Sequence, residues 1–484
     1  MSSLREQTIS GIFWTISERF SNLFINFVIG IILARLLSPA DYGTVGILMV
    51  FIAFSNVFVD SGFSSALIQK KNALASDFST VFFFNLIVSI ILYISIFFCA
   101  GLVANFYNQS LLTDLLRVLT LILIINSFSL VQNAQIVKNL NFKVLTKASV
   151  LSSVVSGIIG ISLAFFGMGV WSLVFKTLSN NIIYTGMLWF FSKWKPSIVF
   201  DIKSFKEMFS YGWKLLVSGM LYTFSQNLFY LIIGKIYSPS DLGYYAKANS
   251  FSNLASSNIT ISIQKVTFPT LSRLQDDGVN LLKAYKKLLK STIFITTFSM
   301  GMLFVIAEPS IIILIGEKWR LTIPLLKILC FGGLWYPINS INLNLLQAKG
   351  RSDLFLKLSI IKNTIFLLIT LIASPFGINI LVIVMAIYAF ASVWINSFYT
   401  KKLIGYSSLK QILDILPSVL IVVFASVSTL ILTLFLPEIY WLKLIISTAL
   451  FSFFYIATSA LFNLQELTET KNILINLLKN RNKN

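Results

Sequence analysis

Apolar residues run along this chain in long blocks separated by short polar turns. A helix needs about 20 apolar residues to cross the hydrocarbon of a bilayer. Helices are the natural spanning element because they satisfy their own backbone groups. By that measure, blocks at 11–36, 43–67, 81–104, 115–137, 148–166, 170–191, 212–236, 243–267, 291–315, 324–348, 354–373, 378–398, 416–436 and 441–462 predict about fourteen spans. Several neighbours are joined by tight turns: SPADYG (38–43), FGMG (166–169), SPSDLG (238–243) and SPFGIN (374–379). Pro and Gly in such turns end one helix and let the next begin. The pattern predicts an all-α polytopic membrane protein.

The blocks also repeat. SPADYG and SPSDLG lie 200 residues apart, with Ser, Pro, Asp and Gly identical and Arg35 matched by Lys235. Followed backwards without a gap, Asn26 meets Gln226, Phe24 meets Phe224 and Ser10 meets Ser210. Further on, Phe166-Gly167 meets Phe376-Gly377 at an offset of 210. A longer basic loop at 268–290 would account for the extra ten residues. The alternative is chance similarity between two apolar hairpins. A true repeat predicts two six-helix lobes, residues 1–200 and 201–400, related by a pseudo-two-fold axis along the membrane normal, with two additional helices and a tail in 401–484. Two such lobes suit an alternating-access transporter with its substrate site between them.

Charge orients the spans. The chain has 484 residues, 56% hydrophobic and 12% charged, with 38 Lys+Arg against 18 Asp+Glu. A net charge of +20 could suggest nucleic acid, but the basic residues punctuate apolar runs instead of clustering on a polar domain. Alternate loops collect them: Lys70 and Lys71; Lys138, Lys143 and Lys147; Lys193 to Lys206; Arg273 to Lys290; Lys349 to Lys357; Lys401 to Lys410. The opposite loops are nearly bare, with Arg35, Arg117, Lys235, Lys318 and Arg320 their main cations. The positive-inside rule then predicts both termini in the cytoplasm. The start, MSSLREQTIS, lacks a signal-peptide pattern, so the first apolar segment is expected to stay in the membrane.

Two polar stretches, 192–210 and 268–290, are the longest outside the apolar blocks, and neither could hold a catalytic domain. Segment 279–290, VNLLKAYKKLLK, sets Leu282, Tyr285 and Leu289 on one face among lysines. It predicts either a helix lying along the membrane surface or a simple basic loop, and the tail from 464 reads the same way.

Candidate chemistry lies inside the spans, where a charge costs at least about 2.5–3.5 kcal/mol and should face protein or water. Glu18 and Arg19 fall about eight residues into the first span, roughly 12 Å deep at 1.5 Å per residue. Thr15, Glu18, Asn22 and Asn26 form a stripe spaced three and four apart. The eighth span repeats it with Asn249, Asn253, Ser257 and Thr260; Asn126, Ser129, Asn133, Asn339 and Asn342 add further polar positions. Lys176, Lys214 and Lys362 are cations within apolar blocks, and Asp60 sits at a depth comparable to Glu18. One reading is a hydrated cavity whose cations receive an anionic group. The other is interhelical hydrogen bonding and local ion pairing, with Lys214 near enough to its helix start to snorkel.

Histidine is absent, and Cys99 and Cys330 sit singly in apolar runs, so no metal site or disulfide framework is expected. No G-x-x-x-x-G-K-[ST] motif offers an intrinsic ATPase. No cofactor is implied. Energy would come from an ion gradient, the membrane potential or product removal.

The run FINFVIGIILARLLSPADYG, followed by DSGFSSALIQKK and later LSRLQDD and LIGEKW, resembles the bacterial lipid-linked oligosaccharide flippases of the multidrug/oligosaccharidyl-lipid/polysaccharide exporter superfamily. The branch containing colanic-acid and teichuronic-acid exporters is the most similar, over roughly residues 5–460. The resemblance implies a V-shaped pair of six-helix lobes like that of multidrug exporters. It also implies a substrate of undecaprenyl-pyrophosphate-linked repeat units for O-antigen, capsule or exopolysaccharide. A polymerase and glycosyltransferases of the same pathway would be its protein partners. A cation-coupled multidrug antiporter is the nearest alternative, and would call for acidic cavity residues where this chain has cations. An integral membrane glycan polymerase or ligase would call for a sizeable outer loop with catalytic Arg or His.

Overall fold

The computed structural model describes residues 4–60, 62–70, 73–192, 194–257, 259, 260, 263 and 271–469; of residues 4–9, 12, 211, 214 and 352 only the backbone is described. Among these the regular structure is helical and no strand occurs. Two compact units divide the chain, residues 1–243 and 244–484.

The first unit contains α1 (Leu4–Leu36), α2 (Pro39–Asp60), α3 (Phe63–Gln69), α4 (Ala75–Tyr107), α5 (Leu112–Leu119), α6 (Leu121–Lys138), α7 (Phe142–Phe165), α8 (Val170–Phe191) and α9 (Ile202–Ile236). Helix α10 (Pro239–Ala255) starts at its end. The second unit continues with α11 (Gly278–Val305), α12 (Ala307–Ile315), α13 (Thr322–Leu334), α14 (Tyr336–Ala348), α15 (Ser352–Ala373), α16 (Ile378–Ile404), α17 (Ser408–Thr433) and α18 (Tyr440–Leu461).

Eleven stretches of helix among the described residues are long and apolar enough to cross a membrane. The fold is that of a multi-pass membrane protein. Of the expected fourteen, 170–191 is a single helix, α8, that falls outside the eleven; it carries Lys176, Asn180 and Asn181. Block 324–348 is two thirteen-residue helices meeting at Trp335, and block 243–267 runs beyond the described residues. Block 291–315 is broken at Ile306, where Pro309 in the next turn has no amide to continue the ladder.

The two polar stretches also differ from expectation. Residues 202–211 are the first turns of the 35-residue α9. There Phe205 and Met208 pack into a buried cluster with Phe63, Phe78 and Phe82. Segment 279–290 is neither a surface helix nor a loop: it opens α11, and Leu281, Tyr285 and Leu289 are fully buried against Ile338, Ile341 and Tyr406. A four-residue spacing of large apolar side chains served a core face rather than a lipid surface.

Outward positions remain strongly apolar, for example Phe98, Phe190 and Phe435, each more than three-quarters exposed. A water-soluble protein would not carry so much exposed apolar surface. Lipid accounts for it.

The SPxDxG turns are built alike. In each, the Ser hydroxyl donates to the Asp carboxylate at 2.7 Å, and the Asp amide donates back to the Ser oxygen, at 3.2 Å for Asp41 and 3.1 Å for Asp241. This reciprocal box satisfies the first amides of α2 and α10. The glycine then serves the other turn. A Cβ on Gly43 would overlap the Pro239 carbonyl, and one on Gly243 would overlap the Pro39 carbonyl. Each helix start therefore needs a glycine in the other.

Candidate functional site: a polar seam within the first unit

Helix α7 carries Ser149, Ser152, Ser153, Ser156, Gly157 and Gly160 at spacings of three and four. Small residues at such spacing let helices approach closely in a membrane. The approach is tight here. A Cβ at Gly157 would overlap the Ile29 side chain of α1, and one at Gly160 would sit 2.8 Å from Lys176 Cβ of α8.

Polar groups fill the remaining seam. Asn22 Nδ2 donates to Ser149 Oγ at 2.8 Å, while Asn22 Oδ1 accepts from Ser153 Oγ at 2.8 Å. Glu18, one turn earlier on α1, also hydrogen-bonds Ser149 and lies within electrostatic range of Tyr184 on α8. Asn180 Nδ2 donates to Ser156 Oγ at 3.2 Å and reaches Ser152 Oγ at 3.5 Å. One turn before Asn180, Lys176 lays its aliphatic stem on Gly160. From Ser149 to Gly160 the seam extends about 16 Å at 1.5 Å per residue.

Glu18, Asn22 and Lys176 thus share one three-helix seam. Glu18 and Lys176 are both half-buried, and among the described residues neither has an ion-pair partner within 4 Å. Arg19 lies beside Glu18 in sequence, half-buried on α1. Asn26 is exposed and its amide donates to the Asn22 carbonyl, within its own helix.

The other expected residues are placed elsewhere. Asp60 ends α2, and its carboxylate accepts from the Ser64 amide at 3.3 Å, closing the turn into α3. Gly62, at φ 74°, makes that turn against the backbone of Gly212. Lys214 lies on α9, outside the described side chains. Asn249 and Asn253 lie on α10, half-buried and exposed respectively. Lys362 is half-buried on α15, and its carbonyl accepts from Tyr388 Oη at 2.7 Å. Among the remaining polar positions, Asn126 donates to Asn56 at 3.1 Å, Asn396 to Asn339 at 2.7 Å, and Asn342 to Gln411 at 2.8 Å. These join α2 to α6, α14 to α16 and α14 to α17.

Sequence reasoning did not single out Ser149, Ser153, Asn180 or Tyr184. The signal was present in SVLSSVVSGIIG, where small residues recur at helical spacing on an otherwise apolar helix.

Beyond the seam, at the end of α3, Lys70 bridges Asp77 at 3.2 Å and Glu207 at 3.0 Å. Burial works against its ammonium, but hydrogen bonds to Glu207 and Asp77 outweigh that and raise its pKa above the ordinary lysine value. Lys138 donates to the Leu67 and Lys70 carbonyls. No group of three or more His, Cys, Asp or Glu side chains among the described residues could hold a metal.

Long apolar helices, tight small-residue seams and buried polar side chains define a helical membrane protein. The structure superimposes on the lipid II flippase MurJ in an inward closed conformation with a TM-score of 0.75 at 17% identity, covering 93% of this chain and 98% of that one. An inward-facing multidrug resistance MATE family transporter of the MOP superfamily matches with a TM-score of 0.62 at 16% identity, covering 79% of this chain and 94% of that one.

The chain belongs to the polysaccharide biosynthesis protein family, which it matches over residues 32–324. It is 26% identical over 360 residues to the teichuronic acid biosynthesis protein TuaB of Bacillus subtilis, covering 73% of this chain and 74% of that protein. It is 24% identical over 370 residues to the lipopolysaccharide biosynthesis protein WzxC of Escherichia coli, covering 75% of each. The succinoglycan biosynthesis transport protein ExoT of Rhizobium meliloti is 24% identical over 318 residues, covering 65% of this chain and 64% of that protein.

Proposed function

We propose that this protein flips undecaprenyl-pyrophosphate-linked oligosaccharide repeat units across the bacterial cytoplasmic membrane for polysaccharide assembly. Membership of the polysaccharide biosynthesis protein family is the observation that carries this reading. Its fold, shared with a lipid II flippase, supplies the architecture. Both termini lie in the cytoplasm in this reading, as the basic loops argue. The lobes are residues 1–200 and 201–400, with 401–484 an added helix pair and tail. Glycosyltransferases and a polymerase of the same pathway supply and consume the substrate.

In this mechanism the pyrophosphate is received by cations, with Arg19 and Lys176 first among them and Lys362 a further contributor. A membrane-buried ammonium without a carboxylate partner is costly, and an anionic substrate group would offset that cost while bound. Lys176 supports the role because Gly160 leaves its stem room to lie along α7. Deleting the gene should leave undecaprenyl-linked repeat units on the cytoplasmic leaflet, detectable by lipid extraction and mass spectrometry. Absence of that accumulation would remove the flippase reading. Likeness to a MATE family transporter favours a second reading, a cation-coupled antiporter; it would instead show as drug sensitivity in the deletion strain with normal glycan export.

A further inference from the structure

Residues 463–469 follow α18 and turn back along it. Asn463 takes a left-handed conformation at φ 49°. Leu464 and Leu467 then pack against the cluster of Phe294, Phe451 and Tyr455. A last helical turn brings two carboxylates onto α11. Glu469 pairs with Lys287 at 2.9 Å and accepts from Ser291 Oγ at 3.2 Å. Glu466, 8% exposed, lies 4.0 Å from Lys290.

A third carboxylate approaches from α17. Asp414 lies 3.6 Å from Lys286 and 3.7 Å from Lys290, and accepts from Tyr406 Oη at 2.6 Å. Lys290 is thus shared between α17 and the tail, beside a cleft of about 150 Å³. The three lysines stand on the segment whose Leu281, Tyr285 and Leu289 face is fully buried. Their positions are therefore set by the helix itself.

We propose that residues 463–469 form an ionic clasp that fastens the tail to α11 and, through the shared Lys290, to the first turns of α17, and that this clasp opens reversibly. The apolar part of the contact rests on two leucines. The rest is ion pairs: Lys287 is exposed in its pair with Glu469, while Lys290 is half-buried between Asp414 and the buried Glu466. At these distances, and with solvent beside Lys287, such pairs are individually weak and screened by salt. Such a contact belongs among the parts of a fold that open locally while the core stays closed.

Hydrogen exchange by mass spectrometry on the full chain in lipid nanodiscs tests this without reference to the transported substrate. Raising salt should speed exchange of residues 463–469 in the unaltered protein. Lys287→Glu and Glu469→Lys should each raise it about five- to tenfold, the range expected for losing a pair of this kind and placing like charges together. Combining the two should restore protection to within about twofold of the parent, since the pair is then reversed. The first turns of α17 should exchange faster in step with the tail. Three results would each overturn the clasp: salt-independent exchange in the parent protein, a combined variant as open as the single ones, or a tail that opens while α17 stays protected.

Discussion

Asn22 illustrates how a membrane-embedded residue can be found in sequence without its work being known. Its place in a stripe at helical spacing was legible, but a stripe facing water and one facing another helix look the same along the chain. The structure gives it two bonds to α7, one donated to Ser149 and one accepted from Ser153. Interhelical bonds of this kind are worth about 0.6–2 kcal/mol each in membranes. Asn22→Ala should therefore lower the stability of the purified protein by about 1–3 kcal/mol, read as a lower midpoint in thermal unfolding. Lys176 predicts a different phenotype. Lys176→Ala, like Arg19→Ala, should abolish glycan export while the protein remains in the membrane at normal level; normal export by both variants would refute the pyrophosphate role. Gly160→Leu should mimic Lys176→Ala, because its side chain would claim the space of the lysine stem.

Single elements were legible where composition alone decides them. Apolar length sets a span, and Pro with Gly sets a turn, so the helix pairs around 38–43 and 238–243 could be placed closely. The fate of 279–290 could not, since lysines around an apolar stripe suit a lipid surface as well as a packed helix end. Tertiary partners such as Ile338 and Tyr406 settled it. Element ends also carry the pH response. Asp201 caps α9, and the Ser204 hydroxyl and Lys203 amide hold its pKa below the usual carboxylate range. A lowered pKa means that its contribution is present above the unfolded value, about 4, and is lost as pH falls through the folded one. Exchange at residues 202–205 should accordingly be insensitive to pH changes around neutrality, after correction for intrinsic rates, and should lose protection only below about pH 4. Loss of protection near neutral pH would show that the cap is not what holds this turn.

At the scale of the molecule, hydropathy disclosed the class of protein and the family match placed it in polysaccharide biosynthesis. Packing could not be read in the same way. Small residues of α7 carry little hydropathic signal, yet they bring α1 and α8 together and so create the seam. Orientation rests on the basic loops and makes a direct prediction. Single cysteines at Lys143 and Lys402, in a background lacking Cys99 and Cys330, should label only after the inner face is opened to an impermeant maleimide. A cysteine at Lys318 should label in intact spheroplasts. The reverse pattern would invert the topology and remove the argument that the tail lies in the cytoplasm.

The paired turns at Pro39 and Pro239 carry a lesson about divisibility. The surface that covers Gly43 is supplied by Pro239, so a fragment ending at residue 200 would bare that helix start, along with the Phe63 cluster that Phe205 and Met208 complete. That bare start has the shape to receive another of its own kind. An isolated 1–200 fragment should therefore self-associate through two copies of SPADYG, and adding a 201–484 fragment should compete that association away. Cutting the chain in half would turn an internal contact into a question of stoichiometry.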